Sequence, residues 1–363
     1  MKTGMSGVLL VLVLGCGGGS GDDTGGDTGS SGGDPRFEVD VYDAAKAYNG
    51  TTFFSLKYDS VPRVVQVDMS GNVVWEYEIP STMSGGSNST VDAEYLADTN
   101  TVLILVGQAG IFEVDYATES VVWSHLDAEV SHDADRVLVD VGGVPTECIL
   151  YVWGMGDQLD DAQVKMVRKD TKELVWSWKA VDHFGEPYLS MGLGGDGSWT
   201  HANAVSLLPS GDKVMISLRD FQMTVVVDYA TGNILNQYDW AAAYAPGGDV
   251  DPHEPEWISG TPNHVLVCLQ NDAAYQAVEI EWPAGVEVWT YAYPNDQLRT
   301  ARDADRLPNG NTLIQGVLNQ GGTQDSVIFE VTPSGEIVWQ MRLVGYEEAL
   351  TPGFIYKAQR VGS

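Results

Sequence analysis

The chain has 363 residues, 44% of them apolar, and sets 51 acidic against 19 basic side chains for a formal charge of −32. The apolar share sustains a packed core and excludes disorder over most of the length. The charge excludes nucleic acid and anionic lipid surfaces as electrostatic partners, because the long-range field repels them, so an anionic ligand needs a local basic pocket.

Residues 1–16 have the layout of a secretory signal: a lysine near the start, a Val/Leu run from Val8 to Leu14, then Gly15-Cys16. Val13-Leu14-Gly15-Cys16 also resembles the bacterial lipobox, which makes Cys16 the expected lipidated first residue of an exported protein. It would be anchored in the bacterial envelope, in the periplasm or at the cell surface, and would meet the membrane only through that lipid. Residues 17–36 are rich in Gly, Ser and Asp and cannot bury enough area to offset chain entropy, so they are expected to form a flexible tether. The folded domain is expected over 37–363. Its two cysteines, Cys148 and Cys268, sit in apolar strand-like runs far apart in sequence and are expected to be buried thiols.

From Phe37 onward strand-like runs recur between turn signals without helical periodicity, which predicts an all-β domain. One unit of strand, polar turn and strand recurs six times at about 50-residue spacing. The copies are VVQVDMSGNVVWEYEI (Val64–Ile79), IFEVDYATESVVWSHL (Ile111–Leu126), Lys165–Ala180, Thr224–Trp240, Ala277–Tyr293 and Val327–Leu343. Five keep a tryptophan (Trp75, Trp123, Trp176, Trp289, Trp339) suited to filling the space between neighbouring sheets. A second hairpin precedes most copies, clearest in Asp303–Gly316 and in the Trp199–Arg219 stretch, where Pro209 and Gly211 shape the turn. Two hairpins per period make a four-stranded blade, and six blades make a β-propeller. The first blade lacks an inner strand while Gly353–Val361 is an orphan strand, so the C-terminus is expected to close the ring beside Thr51–Tyr58.

In this register three inner strands begin with histidine: His132, His201 and His253. The Trp199–Arg219 hairpin returns Arg219 beside His201. His125, His183 and His264 fall on an outer strand, a long loop and a second strand, and are expected to be structural or solvated. Three histidines with a permanent guanidinium favour handling of an anion without a metal. A zinc ion would need ligands from three blades to converge at about 2.1 Å, with Arg219 opposing it. A guanidinium fork holds two oxygens of a sulfonyl or phosphoryl group, while imidazoles supply a nucleophile and a proton donor. Arg302 stands where the sixth blade would carry its histidine, as a second anion clamp or as a solvated rim charge. Ala180–Thr200 is longer than a connection needs and reads equally as a lid or as a surface excursion. Asp249-Val250-Asp251 could bind calcium but lacks the spacing of a recognised loop, so it reads as a solvated turn.

The H-x-N run before a hairpin ending in arginine (His201, Asn203, Arg219) and the H-D/E motifs at His132 and His253 resemble bacterial arylsulfotransferases of the periplasmic, nucleotide-independent type. So do the PNGNTL turn of Asp303–Leu313 and the closing IFEVTPSGEIVW. The resemblance covers about Phe53 to Val361 and implies a six-bladed propeller that moves a sulfo group from an aryl sulfate to a phenol through a sulfated histidine. It makes His253 the nucleophile, Arg219 and His201 the pair that binds sulfo oxygens, and His132 a further ligand or acid–base group. Asn203 and Arg302 become substrate-binding candidates; no cofactor or metal is implied. The other function open to this sequence is a non-catalytic, surface-anchored lipoprotein that binds a ligand or protein partner on the same scaffold.

Overall fold

The computed structural model describes residues 34–58, 61–84, 91–154, 156–195, 197–261, 263–271, 275–294, 297–320, 323–344 and 355–362. The expected signal segment, Cys16 and the expected tether up to residue 33 lie outside the described residues. An entry strand, β1 (Phe37–Tyr42), precedes the first blade. Blade one takes β2 (Gly50–Tyr58), β3 (Val61–Asp68) and β4 (Val73–Glu78); blade two takes β5 (Val91–Leu96), β6 (Thr101–Val106), β7 (Gly110–Asp115) and β8 (Val121–Leu126). Blade three holds β9 (Val130–Val141), β10 (Val144–Trp153), β11 (Val164–Arg168) and β12 (Leu174–Trp178); blade four β13 (Ala202–Leu207), β14 (Lys213–Leu218), β15 (Met223–Asp228) and β16 (Ile234–Asp239). Blade five holds β17 (Val250–Trp257), β18 (His264–Asn271), β19 (Tyr275–Glu281) and β20 (Val286–Ala292); blade six β21 (Leu298–Arg306), β22 (Thr312–Gln320), β23 (Thr323–Val331) and β24 (Ile337–Leu343). The chain ends on β25 (Ala358–Gly362).

Among the described residues these strands form six antiparallel sheets, arranged as the blades of a β-propeller. The middle strands are buried on both faces and read as unbroken apolar runs; every residue of β6, TVLILV, is buried. The outer strands face water and alternate less regularly, with Val121 and Val122 of β8 exposed. Six apolar clusters hold the ring, each shared by neighbouring blades: Phe53 with Ile104 between blades one and two, Trp178 with Ile216 between three and four, Leu313 with Phe54 between six and one.

The outer-hairpin tryptophans also tie one blade to the next. Each indole N–H donates to a turn carbonyl of the following blade: Trp75 to Tyr116 at 3.0 Å, Trp123 to Lys169 at 2.6 Å, Trp289 to Pro333 at 3.0 Å and Trp339 to Met69 at 2.9 Å. In blade three Trp178 takes this place, donating to Gly232 at 3.0 Å. Trp176, the residue expected there, packs on Tyr229 with ring centroids 5.9 Å apart. Such a hydrogen bond contributes about 0.5–1.5 kcal/mol net, less than the burial of the indole that makes it.

The ring closes at both chain ends. The C-terminal β25 supplies the inner strand of blade one, pairing Thr51 with Val361 and Phe54 with Ala358, as the sequence predicts. The opposite end adds a feature that the repeat pattern hides: β1 becomes a fifth strand of blade six, antiparallel to β24. It has no partner of its own in sequence, and its alternation is short. Closure is locked by charge. Arg360 on β25 and Glu330 on β23 are wholly buried and paired at 3.1 Å, and Arg360 also donates to the carbonyl of Tyr48 at 2.7 Å and to Thr52 Oγ1 at 2.9 Å.

Removing residues 353–363 strands Glu330 as a buried charge, a cost of about 3–5 kcal/mol, and exposes the inner edge of blade one. Against a total stability of roughly 5–15 kcal/mol, the ring is expected to open. Size-exclusion chromatography and a thermal melt check this: aggregation and a lowered or absent transition are expected, and a monomer with the parent's melting temperature contradicts the closure.

Candidate functional site

The four inner strands that carry the candidate residues share one irregularity. Where β9, β13, β17 and β21 begin, the ladder slips: His132 and Asp133 fall between paired residues in blade three, Asn203 in blade four, Glu254 and Pro255 in blade five, Arg302 in blade six. A bulge leaves extra backbone unpaired and re-aims its side chain. The backbone turns left-handed at the same level, with φ of 55° at His132, 47° at His201 and 44° at Glu254, conformations that non-glycine residues hold only where their surroundings enforce them. The enforcing contact at His201 is Asp157, buried in the β10–β11 connection. Its carboxylate accepts from the backbone of Thr200 and His201 (3.2 and 3.1 Å), from Thr200 Oγ1 (2.8 Å) and from Gln163 (2.9 Å).

This brings the three histidines together at one mouth of the channel. The Nε2 atoms of His132 and His201 stand 3.2 Å apart, with ring centroids at 4.8 Å. One of the two must donate, so the pair shares a proton along this line. His132 Nδ1 faces Ser131 Oγ at 2.7 Å. His253 Nδ1 lies 3.2 Å from the carbonyl of Asp251. Gln270 Nε2 braces the ring at 3.1 and 3.3 Å. Arg219 follows β14; its backbone N–H donates to the carbonyl of His201 at 3.2 Å, and Asp220 aligns the guanidinium through Nε at 2.9 Å and Nη2 at 2.8 Å.

Burial and neighbouring charges set the protonation of these groups. Burial holds His132 well below the usual histidine range, and His201, His253, Arg219 and Arg302 lower it further. Burial likewise depresses His253, followed by Arg302; the Asp251 carbonyl opposes, and Arg219 and His201 add to the depression. Both imidazoles are therefore neutral at neutral pH. Arg302 is half-buried, and desolvation lowers its basicity. Asn203 is fully buried and donates to the carbonyl of Pro252 at 2.9 Å, beside Ser217 Oγ at 3.2 Å, so it fixes the backbone just before His253.

The other histidines stand in structural contacts. His125 lies 3.3 Å from the Tyr151 hydroxyl, His183 stacks on Trp178, and His264 meets Glu279 at 2.6 Å. Cys148 and Cys268 are buried free thiols. Among the described residues no group of three His, Cys, Asp or Glu side chains is arranged to hold a metal ion. The 180–200 excursion packs through its own aromatics, Phe184, Tyr188 and Trp199 meeting Phe221. It also runs close against the clamp: a Cβ added at Gly194 would lie 2.2 Å from Asp220 Oδ2, so only glycine leaves the carboxylate that aligns Arg219 in place.

Below the histidines the channel is acidic. A cavity of about 340 Å³ is lined at one level by Asp92, Asp133, Ala204, Glu254, Asp303 and Lys357, one from each blade, and two residues further along each strand by Glu94, Asp135, Ser206, Glu256, Asp305 and Gln359. Lys357 pairs with Asp92 at 3.3 Å, Asp133 at 2.5 Å and Glu254 at 3.0 Å. Sequence reasoning missed Asp157, Gln270, Tyr356 and Lys357. The last two had a signal: Tyr356-Lys357 takes, in blade one, the step that reads His132-Asp133, His253-Glu254 and Arg302-Asp303 elsewhere.

A family model described as Arylsulfotransferase (ASST) matches residues 43–243, a span that includes His132, His201, Asn203 and Arg219. No curated protein matches the chain. Among solved structures, a protein of unknown function from Bacteroides caccae superposes with a TM-score of 0.52 at 12% identity, over 85% of this chain and 98% of that one. The Cps50 (Swd1) β-propeller domain of Myceliophteria thermophila does so with a TM-score of 0.50 at 10% identity, over 83% and 88%. At these identities the likeness is one of fold alone.

Proposed function

Because the chain belongs to the arylsulfotransferase family, we propose that it is an enzyme that moves a sulfo group from a phenolic sulfate ester to a second phenol, with His253 as the nucleophile. The observation that carries this is the buried His253 imidazole, held neutral at the same mouth as Arg219, Arg302 and the His132–His201 pair. Nε2 attacks sulfur, the S–O bond to the aryl group breaks, and the electron pair leaves on the phenolic oxygen. The arriving sulfate anion favours a proton on the His132–His201 pair, and that proton neutralises the departing phenoxide. A second phenol then reverses the steps and takes the sulfo group from His253.

Arg219 and Arg302 hold the sulfo oxygens throughout. Their charge is preorganised where water is scarce, so the site does not reorganise as sulfur passes from oxygen to nitrogen. Asn203, Gln270 and Asp157 act through the histidines they position. The exchange is balanced in protons and electrons and calls for no cofactor. We further propose that Cys16 carries a lipid anchor in the bacterial envelope; a Cys16→Ser protein that still fractionates with membranes would contradict it.

Donor alone, mixed with the purified protein, is expected to release about one equivalent of phenol per chain and leave a sulfo adduct on the peptide that carries His253. His253→Ala should abolish both. Arg219→Ala should lower turnover on the order of 100–1,000-fold. Transfer by the His253→Ala protein at the parent's rate would overturn the assignment.

A further inference from the structure

One polar group at the mouth has no task in this scheme. Tyr356 is 3% exposed, and among the described residues its hydroxyl has no hydrogen-bond partner. Its place follows from the sixfold repeat. Lys357 lines the channel at the level of Asp133, Glu254 and Asp303, so Tyr356, one residue earlier, holds in blade one the position of His132, His253 and Arg302. Contacts agree: its ring centroid lies 6.0 Å from that of His132, and the Arg302 guanidinium stands over its face at 5.6 Å.

Leaving a buried hydroxyl without a partner is costly, and such a group is kept where a ligand completes it. Burial raises the phenol well above its ordinary range and Glu254 adds to this, while Arg302 opposes. The group stays protonated, so it can donate a hydrogen bond and cannot serve as a base. Of the atoms a bound aryl sulfate presents, the ester oxygen gains the most negative charge as the S–O bond breaks, whereas the sulfo oxygens already face two guanidinium groups. A neutral donor is most useful where charge develops.

We infer that Tyr356 is a catalytic residue that donates its phenolic O–H to the ester oxygen of the donor, the atom that departs as phenoxide. This rests on the sulfo-transfer reading. As Nε2 of His253 bonds to sulfur, the electron pair of the S–O bond moves to the aryl oxygen. The proton that neutralises it comes from the His132–His201 pair, and Tyr356 keeps its own. Donors whose phenoxide is a poor leaving group lean on this hydrogen bond; those with a stabilised phenoxide need it little.

The full chain and its Tyr356→Phe variant are compared in rapid-mixing assays of phenol release, with 4-nitrophenyl sulfate and unsubstituted phenyl sulfate as donors. The variant is expected to lose about 10–100-fold with phenyl sulfate and less than about threefold with 4-nitrophenyl sulfate. The ratio of the two rates cancels the amount of folded protein. An equal loss with both donors, or no loss, overturns the role of Tyr356 and leaves sulfo transfer standing. A parent protein that releases no phenol from either donor overturns both.

Discussion

One ammonium inside the channel, that of Lys357, holds the centre of this molecule. Lys357 reaches carboxylates of blades two, three and five, at 3.3 Å from Asp92, 2.5 Å from Asp133 and 3.0 Å from Glu254, and these pairings raise its basicity far above the usual lysine range against the opposing cost of burial. Eight carboxylates line the two levels of the channel around it. They cannot all stay ionised in so little water. Burial, with the neighbouring acids, lifts Glu94 and Glu256 to about 7 and Asp303 to about 6, so the channel lowers its own charge by keeping protons. Deleting the lysine would leave three facing acids with no cation, the arrangement that destabilises a buried ion pair most.

Lys357 stands one residue after Tyr356 and three before Arg360, so one short segment closes the ring, balances the channel and completes the mouth. The carboxylates around it also join blades. Asp133 accepts the backbone N–H of Val205 in blade four at 2.6 Å, and Asp303 that of Ala358 in blade one at 2.8 Å. The same inner strands thus carry, in adjacent positions, a residue for the mouth and a residue for the seam. The bulges make this possible by turning the first side chain toward the mouth while the next reaches the neighbouring blade. They also separate two fields, a mouth with Arg219 and Arg302 and an acidic shaft beneath it.

Repeats were the part of the fold most legible in the sequence, because a strand–turn–strand unit with a tryptophan must be packed against another like it. Blade number, strand order and the closing role of the C-terminus follow from that period. His132, His201, His253 and Arg219 were legible as well, each lying at a predictable distance from a turn. The exceptions are local. Trp178 replaces Trp176 through a two-residue offset that sequence spacing cannot reveal, and β1 joins a sheet whose other strands lie some 300 residues away in sequence. Bulges leave no compositional mark, so nothing in the sequence tells that Asn203 donates to the Pro252 carbonyl. Tyr356 escaped because its strand stands apart from the repeat it completes.

The central claim is that the sulfo group rests on His253 between donor and acceptor. Each in-line displacement at sulfur inverts its configuration, so the stereochemistry of transfer from an aryl sulfate made chiral with three oxygen isotopes counts the displacements directly. Two displacements, through the histidine, predict net retention of configuration in the product ester. Net inversion would mean that the phenols exchange the sulfo group in one step, with His253 never bonded to sulfur.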